Sequence, residues 1–589
     1  MGDELTVSQH LLARGTDPDN QAAWRRKERG IWRISSWQAA IQDVANVADR
    51  LSDAGLSRGE TAILHCDKGY RWVAAAHAIQ GLGATVVPIM PDASASELRH
   101  CLKQIPSPKV VLAEDEEKAQ LLGLIFSELD CSPRIFAVRA AQTLDGESGQ
   151  ADSDANAHNV GQVIETWPVS SKRDPSVALK IFQEEVERGQ PEDIATVIFQ
   201  TGSQDVLECM SITHKDWIQN ATSFGRSLNL SHTDEMICTV APAYAAANIL
   251  YQVAPSMYGY CVNFPETRDT ILADLREIGP TQLLVTPSGY KHIAVSSMSE
   301  MASAGWIKRK LFKTTQDGFQ KWLSNGDMQG IGVGSTIGAA FLCKSMREVL
   351  GLARVKSAIT YPVQMGIEGR AFFASLGLRF HQILEDKKPA GLLPKLNLNI
   401  QDLSLSNSAS RVSNNPTVMF EDKTFNVDIG LEENLCASPY IKRAVVVSKD
   451  SADATALIEL DIQASKDWAD QQGIYYQSVE TLALQSEVLD LIEVEIRKIT
   501  SNLTERGGAM LAKVARFILL RRPLDRNQGE LTHLRMPSYQ RVVTNYSVLL
   551  RIVGLGKGND SIVGEIKTGK YLLLRDECAL DHRGVLLVG

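Results

Sequence analysis

At 589 residues the chain is long enough for more than one hydrophobic core and so for more than one domain. Its apolar fraction of 44% and charged fraction of 22% are those of a globular protein in water, and a net charge of -9 argues against a nucleic-acid surface. No apolar run approaches the roughly 20 residues that span a bilayer. The nine cysteines are scattered without a Cys-x-x-Cys or a Cys/His cluster of metal spacing, which predicts buried thiols in a reducing cytosol and no metal centre.

In chain order, Ser36 precedes Trp37, Ile41, Val44, Ala48 and Leu51, the spacing of one apolar helix face, and Gly55 ends it. Thr61 to His65 reads as a buried strand, about Tyr70 to Leu82 as a helix, and Ala84 to Ile89 as a strand. Ser94 caps a helix running toward Gln104, and Lys109 to Ala113 is the next strand. This alternation predicts parallel α/β layers. Residues 142–158, rich in Ser, Asp, Ala and Gly, read as an exposed loop. The alternation resumes at Ile194 and continues to Phe380, and 404–416 reads as a polar connector. Beyond it, strands at Ala444–Val447, Ala456–Asp461 and Arg516–Leu520, with a helix near Leu484 to Ser501, predict a small α+β domain. From Ser547 onward, alternating Val, Ile and Leu among glycines predict hairpins, read either as exposed strand edges that contact a partner or as strands packed on the small domain. The basic stretch Lys308 to Lys313 reads as a solvated helix face, with a membrane surface or a partner as alternatives.

The most informative stretch is Asp193 to His214, laid out as a strand, a small-residue loop and a helix entry. Such loops hold phosphate because small residues let backbone N–H groups approach it, with hydroxyls and a lysine assisting. Thr201, Gly202 and Ser203 suit that work, whereas Asp205 and Glu208 oppose it. A carboxylate a few ångströms from a phosphate is repelled by about 4 kcal/mol at a surface-like dielectric.

This stretch resembles the phosphate loop of the adenylate-forming superfamily, in particular the long-chain acyl-CoA synthetases, whose loop reads Y-T-S-G-T-T-G-x-P-K-G followed by T-H. Aligned without gaps from His214, the loop covers Phe199 to Cys209, with the family's lysine at Glu208, its middle glycine at Asp205 and its last at Cys209. The resemblance runs on through Gly81 to Ile89, Asn263 to Pro280, Trp306 to Phe312, Leu350 to Ser357, Glu432 to Leu435 and Glu530 to Thr532. It implies ligation of a carboxylic acid: ATP and Mg²⁺ give an acyl-adenylate, a small domain rotates, and coenzyme A displaces AMP. It also implies the fold, an α/β large N-terminal domain with a small α+β C-terminal domain, expected here as 1–423, 424–546 and a β-rich extension 547–589.

The chain departs from that pattern at the charged positions. Where the family has Y-G-x-T-E, Leu384 replaces the aromatic beside adenine, Glu385 the glycine, and Lys388 the Mg²⁺-ligating glutamate. Mg²⁺ takes oxygen ligands, so an ammonium opposes it. Residues 389–423 contain neither the ribose-binding T-G-D nor the D-R-x-K hinge, which predicts a truncated connecting β-subdomain. Four residues after the Thr of E-L-T, Met536 occupies the position of the catalytic lysine, and Lys513 and Arg535 do not align with it. In the acyl region Ala245, beside Tyr244, stands where the family has an aromatic or His, and Thr286-Pro-Ser288 lacks the arginine of P-P-R. His214, His292 and His381 are isolated and read as structural.

The expectation is a pseudoenzyme without catalytic residues, cofactor or metal, acting as a structural, scaffolding or regulatory subunit. Its partner would be another protein, such as an active paralogue or a larger complex, and its location cytoplasmic or membrane-peripheral. The alternatives are a divergent, active fatty acid–CoA ligase and a protein that binds acyl groups or acyl-CoA.

Overall fold

The computed structural model describes residues 5–16, 21–67, 69–137, 164–166, 173–201, 207–267, 270–286, 289–290, 293, 344, 346–361, 373–374, 376–385, 398–402, 417–420, 423–436, 438–448, 453–504, 513–526, 528–532, 536–552, 571–573 and 585–588. The chain divides into two compact units, one of 1–286, 347–362 and 381–401, the other of 287–346, 363–380 and 402–589.

The first unit is built as the alternation predicts. Helix Trp37–Asp53 starts where Ser36 Oγ accepts from the Ala39 N–H at 3.3 Å, and Trp37, Ile41, Val44, Ala48 and Leu51 are buried. Strand Thr61–His65 is buried throughout, and helix Tyr70–Gly81 and strand Thr85–Pro88 follow it. Ser94 and Glu97 form a capping box at the start of helix Ala95–Leu102. One seven-stranded sheet runs Ile164–Thr166, Arg134–Ala137, Val110–Ala113, Thr61–His65, Thr85–Pro88, Ile194–Thr201, Leu207–Thr213. Its strands are parallel except the last, which pairs antiparallel with Ile194–Thr201. An eight-stranded sheet runs Leu398–Asp402, Arg379–Glu385, Ser357–Thr360, Gln282–Val285, Glu235–Ile237, Cys261–Phe264, Ala22–Glu28, Ile31–Ser36.

Both sheets contribute to one continuous core. Leu64, Val86 and Ile198 of the seven-stranded sheet and Met236, Val262 and Leu284 of the other share a cluster with helices Trp37–Asp53, Tyr70–Gly81 and His214–Leu228. The opposite face of the seven-stranded sheet is covered by helices Ala95–Leu102 and Glu116–Glu128, through Leu98, Leu122 and Phe126. Parallel strands need both faces covered, which is why their sequences are continuously apolar.

The second unit contains a seven-stranded sheet in the order Thr417–Phe420, Lys423–Val427, Ile441–Ser448, Asp453–Leu460, Lys513–Leu520, Val585–Val588, Tyr571–Leu573. Alternate residues separate its faces: Ala444 and Val446 pack with helices Ile462–Gln472 and Ser486–Thr504, and Val445 and Val447 with Val542, Tyr546 and Leu550. The boundary expected at 423/424 falls inside strand Lys423–Val427, whose hairpin partner precedes it. The segment from Ser547 begins not with a strand but with helix Ser547–Ile552, whose Leu550 is buried under the sheet. Val585–Val588 pairs with Lys513–Leu520, and Tyr571–Leu573 pairs with Val585–Val588. These strands extend the small sheet instead of standing apart from it. Among the described residues, no helix is long and apolar enough to cross a membrane.

Candidate functional site

The segments on either side of the loop singled out in the sequence pair with each other as antiparallel strands, so that a second strand stands where the sequence reading placed only loop and helix entry. Strands Ile194–Thr201 and Leu207–Thr213 pair through Ile198↔Met210, Phe199↔Cys209 and Gln200↔Glu208, and Thr201↔Leu207 closes the neck. Gly202, Ser203 and Asp205 lie outside the described residues, as does the side chain of Thr201.

The incoming strand is held from beneath by a buried polar network. Thr196 Oγ1 accepts from Trp217 Nε1 at 3.0 Å and from Gln80 Nε2 at 3.2 Å. Gln252 Nε2 donates to Gln80 Oε1 at 2.9 Å. Three helices thereby fix one strand, because each of these groups, out of reach of water, needs a partner. The outgoing strand is clamped by the end of helix Ala95–Leu102 and the turn that follows it. The Leu207 carbonyl has His100 Nε2 and Gln104 Nε2 each at 2.8 Å, and the Cys209 N–H donates to Gln104 Oε1 at 3.1 Å. Glu208 lies between the two clamped residues with its side chain exposed, and among the described residues no cation pairs with it. The sequence reading missed His100 and Gln104; their only local signal is a spacing of four, with His100 in the last turn of a capped helix and Gln104 just beyond its end.

At the helix entry, Thr213 and Asp216 form a capping box. His214 is buried, and its Nδ1 accepts from the Val7 N–H at 3.3 Å, as the structural reading expected. Burial pulls its pKa down to about 4. His381 is also buried, and His292 lies outside the described residues.

In the region the resemblance assigns to the acyl group, Ala245 is buried and Tyr244 meets Tyr361 edge-on at 6.2 Å. Helix Ala245–Asn248 passes into a π-helical turn, Ile249–Val253, before helix Ala254–Tyr258. Such turns often mark functional positions. Asn248 and Gln252 are buried, and among the described residues Asn248 Oδ1 and Gln252 Oε1 have no hydrogen-bond partner. The sequence reading did not single them out, although two amides four residues apart in an apolar run were a visible signal.

Leu384 and Glu385 end strand Arg379–Glu385, with side chains outside the described residues, as is the whole of Lys388. In the second unit, Met536 pairs back onto Thr532. The Thr532 N–H donates to the Met536 carbonyl at 2.7 Å, the Met536 N–H donates to Thr532 Oγ1 at 3.2 Å, and Leu531 bridges Pro537. Glu530 is buried and accepts from Arg522, the Asp525 N–H and Asn545 Nδ2. Thus Glu530 anchors the run carrying Met536. Among the described residues, no group of three His, Cys, Asp or Glu could hold a metal ion.

The sequence profile of the family described as AMP-binding enzyme matches residues 14–358, more than half of the chain. The chain belongs to that family. A long-chain-fatty-acid–CoA ligase of Gallus gallus is 23% identical over 221 residues, 36% of this chain and 29% of that protein. A peroxisomal long chain acyl-CoA synthetase of Arabidopsis thaliana is 25% identical over 140 residues, 23% of this chain and 20% of that protein. The chain thus aligns with less than a third of the length of these two relatives. Among solved structures, the A domain of carboxylic acid reductase from Segniliparus rugosus superposes with a TM-score of 0.58 at 12% identity, covering 93% of this chain and 94% of that one. The anthranilate CoA ligase AuaEII gives 0.57 at 13% identity, with 93% and 98% covered. The α/β fold is therefore that of adenylation domains over most of the chain, and the family match includes the hairpin of Thr201 and Glu208.

Proposed function

We propose that this chain is a family member with impaired adenylation, acting as a structural, scaffolding or regulatory subunit through contact with another protein. The observation that carries the reading is Glu208: an exposed carboxylate fixed at the exit of the loop by clamps on Leu207 and Cys209. A triphosphate needs cations and N–H donors there, and a carboxylate repels it. Residue types at the other positions point the same way: Asp205 in the loop beside Thr201, Gly202 and Ser203, Leu384 and Glu385 at a strand end, Lys388 in place of a metal ligand, and Met536 in place of a lysine. A thioether cannot stabilise a developing negative charge. A shortened connecting β-subdomain, and a chain of a large domain (1–423), a small α+β domain (424–546) and a C-terminal extension (547–589), belong to the same reading.

Calorimetry of the full chain with ATP and Mg²⁺ tests it. The expected result is no measurable binding; micromolar affinity would overturn the reading. The second reading, a divergent fatty acid–CoA ligase, is favoured by the match over residues 14–358 and by the two relatives named for that activity. ATP-dependent release of pyrophosphate with a fatty acid would establish it. Mass spectrometry of the native protein separates a partner complex from a carrier of acyl groups or acyl-CoA by what copurifies.

A further inference from the structure

The second unit carries an open hollow of about 700 Å³ whose chemistry the reactions considered above do not use. It forms where helix Ile462–Gln472 ends at Gly473, whose φ of +71° turns the chain back so that Ile474 and Tyr475 line the hollow together with helix Ser486–Thr504. That second helix has two apolar faces. Val488, Leu489, Ile492, Ile496 and Ile499 are buried against the sheet. Leu491 and Val494, with Glu487 and Asp490, form an outward stripe at the three- and four-residue spacing of one helix face. Val494 is 60% exposed and Tyr475 80% exposed, where a helix serving only the core would carry polar side chains.

The charges around the hollow are one-sided. Its lining contains Glu487 and Asp490 and no lysine or arginine. The nearby cations of the same helix are engaged: Arg497 pairs with Glu493 and Lys498 with Glu495. Glu487 accepts from Ser486 Oγ at 2.9 Å, and among the described residues no cation pairs with Glu487 or Asp490. Trp468, held edge-on by Tyr440 at 6.4 Å, supplies an aromatic wall.

We propose that this groove docks a cationic amphipathic helix of a partner protein. The partner's apolar side chains would cover Ile474, Tyr475, Leu491 and Val494, and its lysines or arginines would meet Glu487, Asp490 and the Trp468 ring. An apolar trough with acidic edges selects that chemistry, since an anionic segment is repelled and a neutral one leaves the carboxylates unpaired. The proposal deepens the partner half of the reading above. Its test uses no nucleotide, so its failure and a failure of the adenylation reading are distinguishable.

The probe is a fluorescein-labelled 14-residue peptide of leucine and lysine in amphipathic helical order, with a leucine–glutamate peptide of the same order as reference. Binding to the full chain is read by anisotropy. The lysine peptide should bind and the glutamate peptide should not. The double variant E487K/D490K should weaken the lysine peptide at least tenfold. E184K/E187K, an equal charge change on the exposed face of helix Pro175–Glu187 in the first unit, should alter it less than twofold. Tyr475→Ser with Val494→Ser should weaken it at least fivefold with an unchanged circular dichroism spectrum. Equal weakening by both charge reversals would mean general attraction to an acidic protein and would overturn the proposal. Indifference to the serine pair, or self-association of the chain abolished by E487K/D490K, would overturn it as well.

Discussion

Arg522 closes both nitrogens of its guanidinium fork onto the two carboxylate oxygens of Glu530, each at 2.9 Å, and the glutamate side chain is wholly removed from solvent. The pair spans the turn that leads to Met536, so the position of that loop depends on it. Removing one partner of a buried pair strands the other, at a cost of about 3–5 kcal/mol. Arg522→Met should therefore lower the unfolding free energy of the second unit by about 3 kcal/mol in urea titrations, whereas R522M with E530L should recover much of the loss. A loss below about 1 kcal/mol for Arg522→Met would show that solvent or Asn545 satisfies the carboxylate instead.

Two buried glutamates of the second unit respond to pH in opposite senses. Burial raises the Glu530 pKa, but the hydrogen bonds from Arg522, the Asp525 N–H and Asn545 outweigh it and leave the pKa lowered. The stability it contributes is present above the ordinary carboxyl value of 4.5 and is lost as pH falls through the lowered one. Among the described residues no cation pairs with Glu432, which accepts from the Val446 N–H at 2.8 Å and Tyr539 Oη at 2.9 Å. Burial raises its pKa well above 4.5, so its contribution is present below 4.5 and is lost as pH rises through the raised value. Glu432→Gln should flatten the high-pH side of the stability profile, and Tyr539→Phe should cost about 1–3 kcal/mol at neutral pH. Urea midpoints across pH measure both.

The first unit should weaken in mild acid. Burial pulls His65 and His214 to about 4 and His77 to about 3, against 6.5 for the free side chain. Such a histidine favours the fold while neutral. Its contribution is full above pH 6.5 and is lost as pH falls toward the lowered value. A shift from 6.5 to about 4 corresponds to about 3 kcal/mol. His77→Gln should reduce the fall in stability between pH 6.5 and 4. An unchanged slope would mean that His77 is not among the groups that titrate.

Gly81 lies where helix Tyr70–Gly81 crosses helix Pro175–Glu187, and a Cβ there would stand 2.2 Å from Phe182 Cε2. Phe182 is itself buried, so it cannot move aside into solvent. Gly81→Ala should destabilise by about 1–3 kcal/mol, and G81A with F182L should restore most of it. Thermal unfolding of the three proteins checks the pairing.

Under the proposed reading, Glu208→Lys alone should not yield pyrophosphate release with ATP, Mg²⁺ and a fatty acid, nor should Met536→Lys alone. Each reversion restores one cation while the other charged positions stay as they are, and groups that act as a unit are strongly non-additive. Activity from either single variant would show that only one group had been missing.

The sequence by itself determined the local elements. Ser36 and Ser94 cap helices because a side-chain oxygen can satisfy an N–H two or three residues away, and Thr61 to His65 forms a strand because a short, continuously apolar run needs two covered faces. The strand from Ile194 and the helix entry at His214 were legible because small residues and charges at fixed spacing carry a resemblance, whereas the return strand Leu207–Thr213 and the anchoring role of Glu530 were not. Only the tertiary structure decided what joins them. Gln252 bonds to Gln80 across 172 residues, and Gln104 clamps a strand 105 residues further on. Neither contact has a period, since burial, not spacing, obliges a polar group to find whichever partner the fold brings near. The π-helical turn at Ile249–Val253, the helical start of the segment from Ser547, and the acidic groove beside Tyr475 were hidden for the same reason. Each depends on which face of an element is covered, and packing settles that after the local pattern has been written.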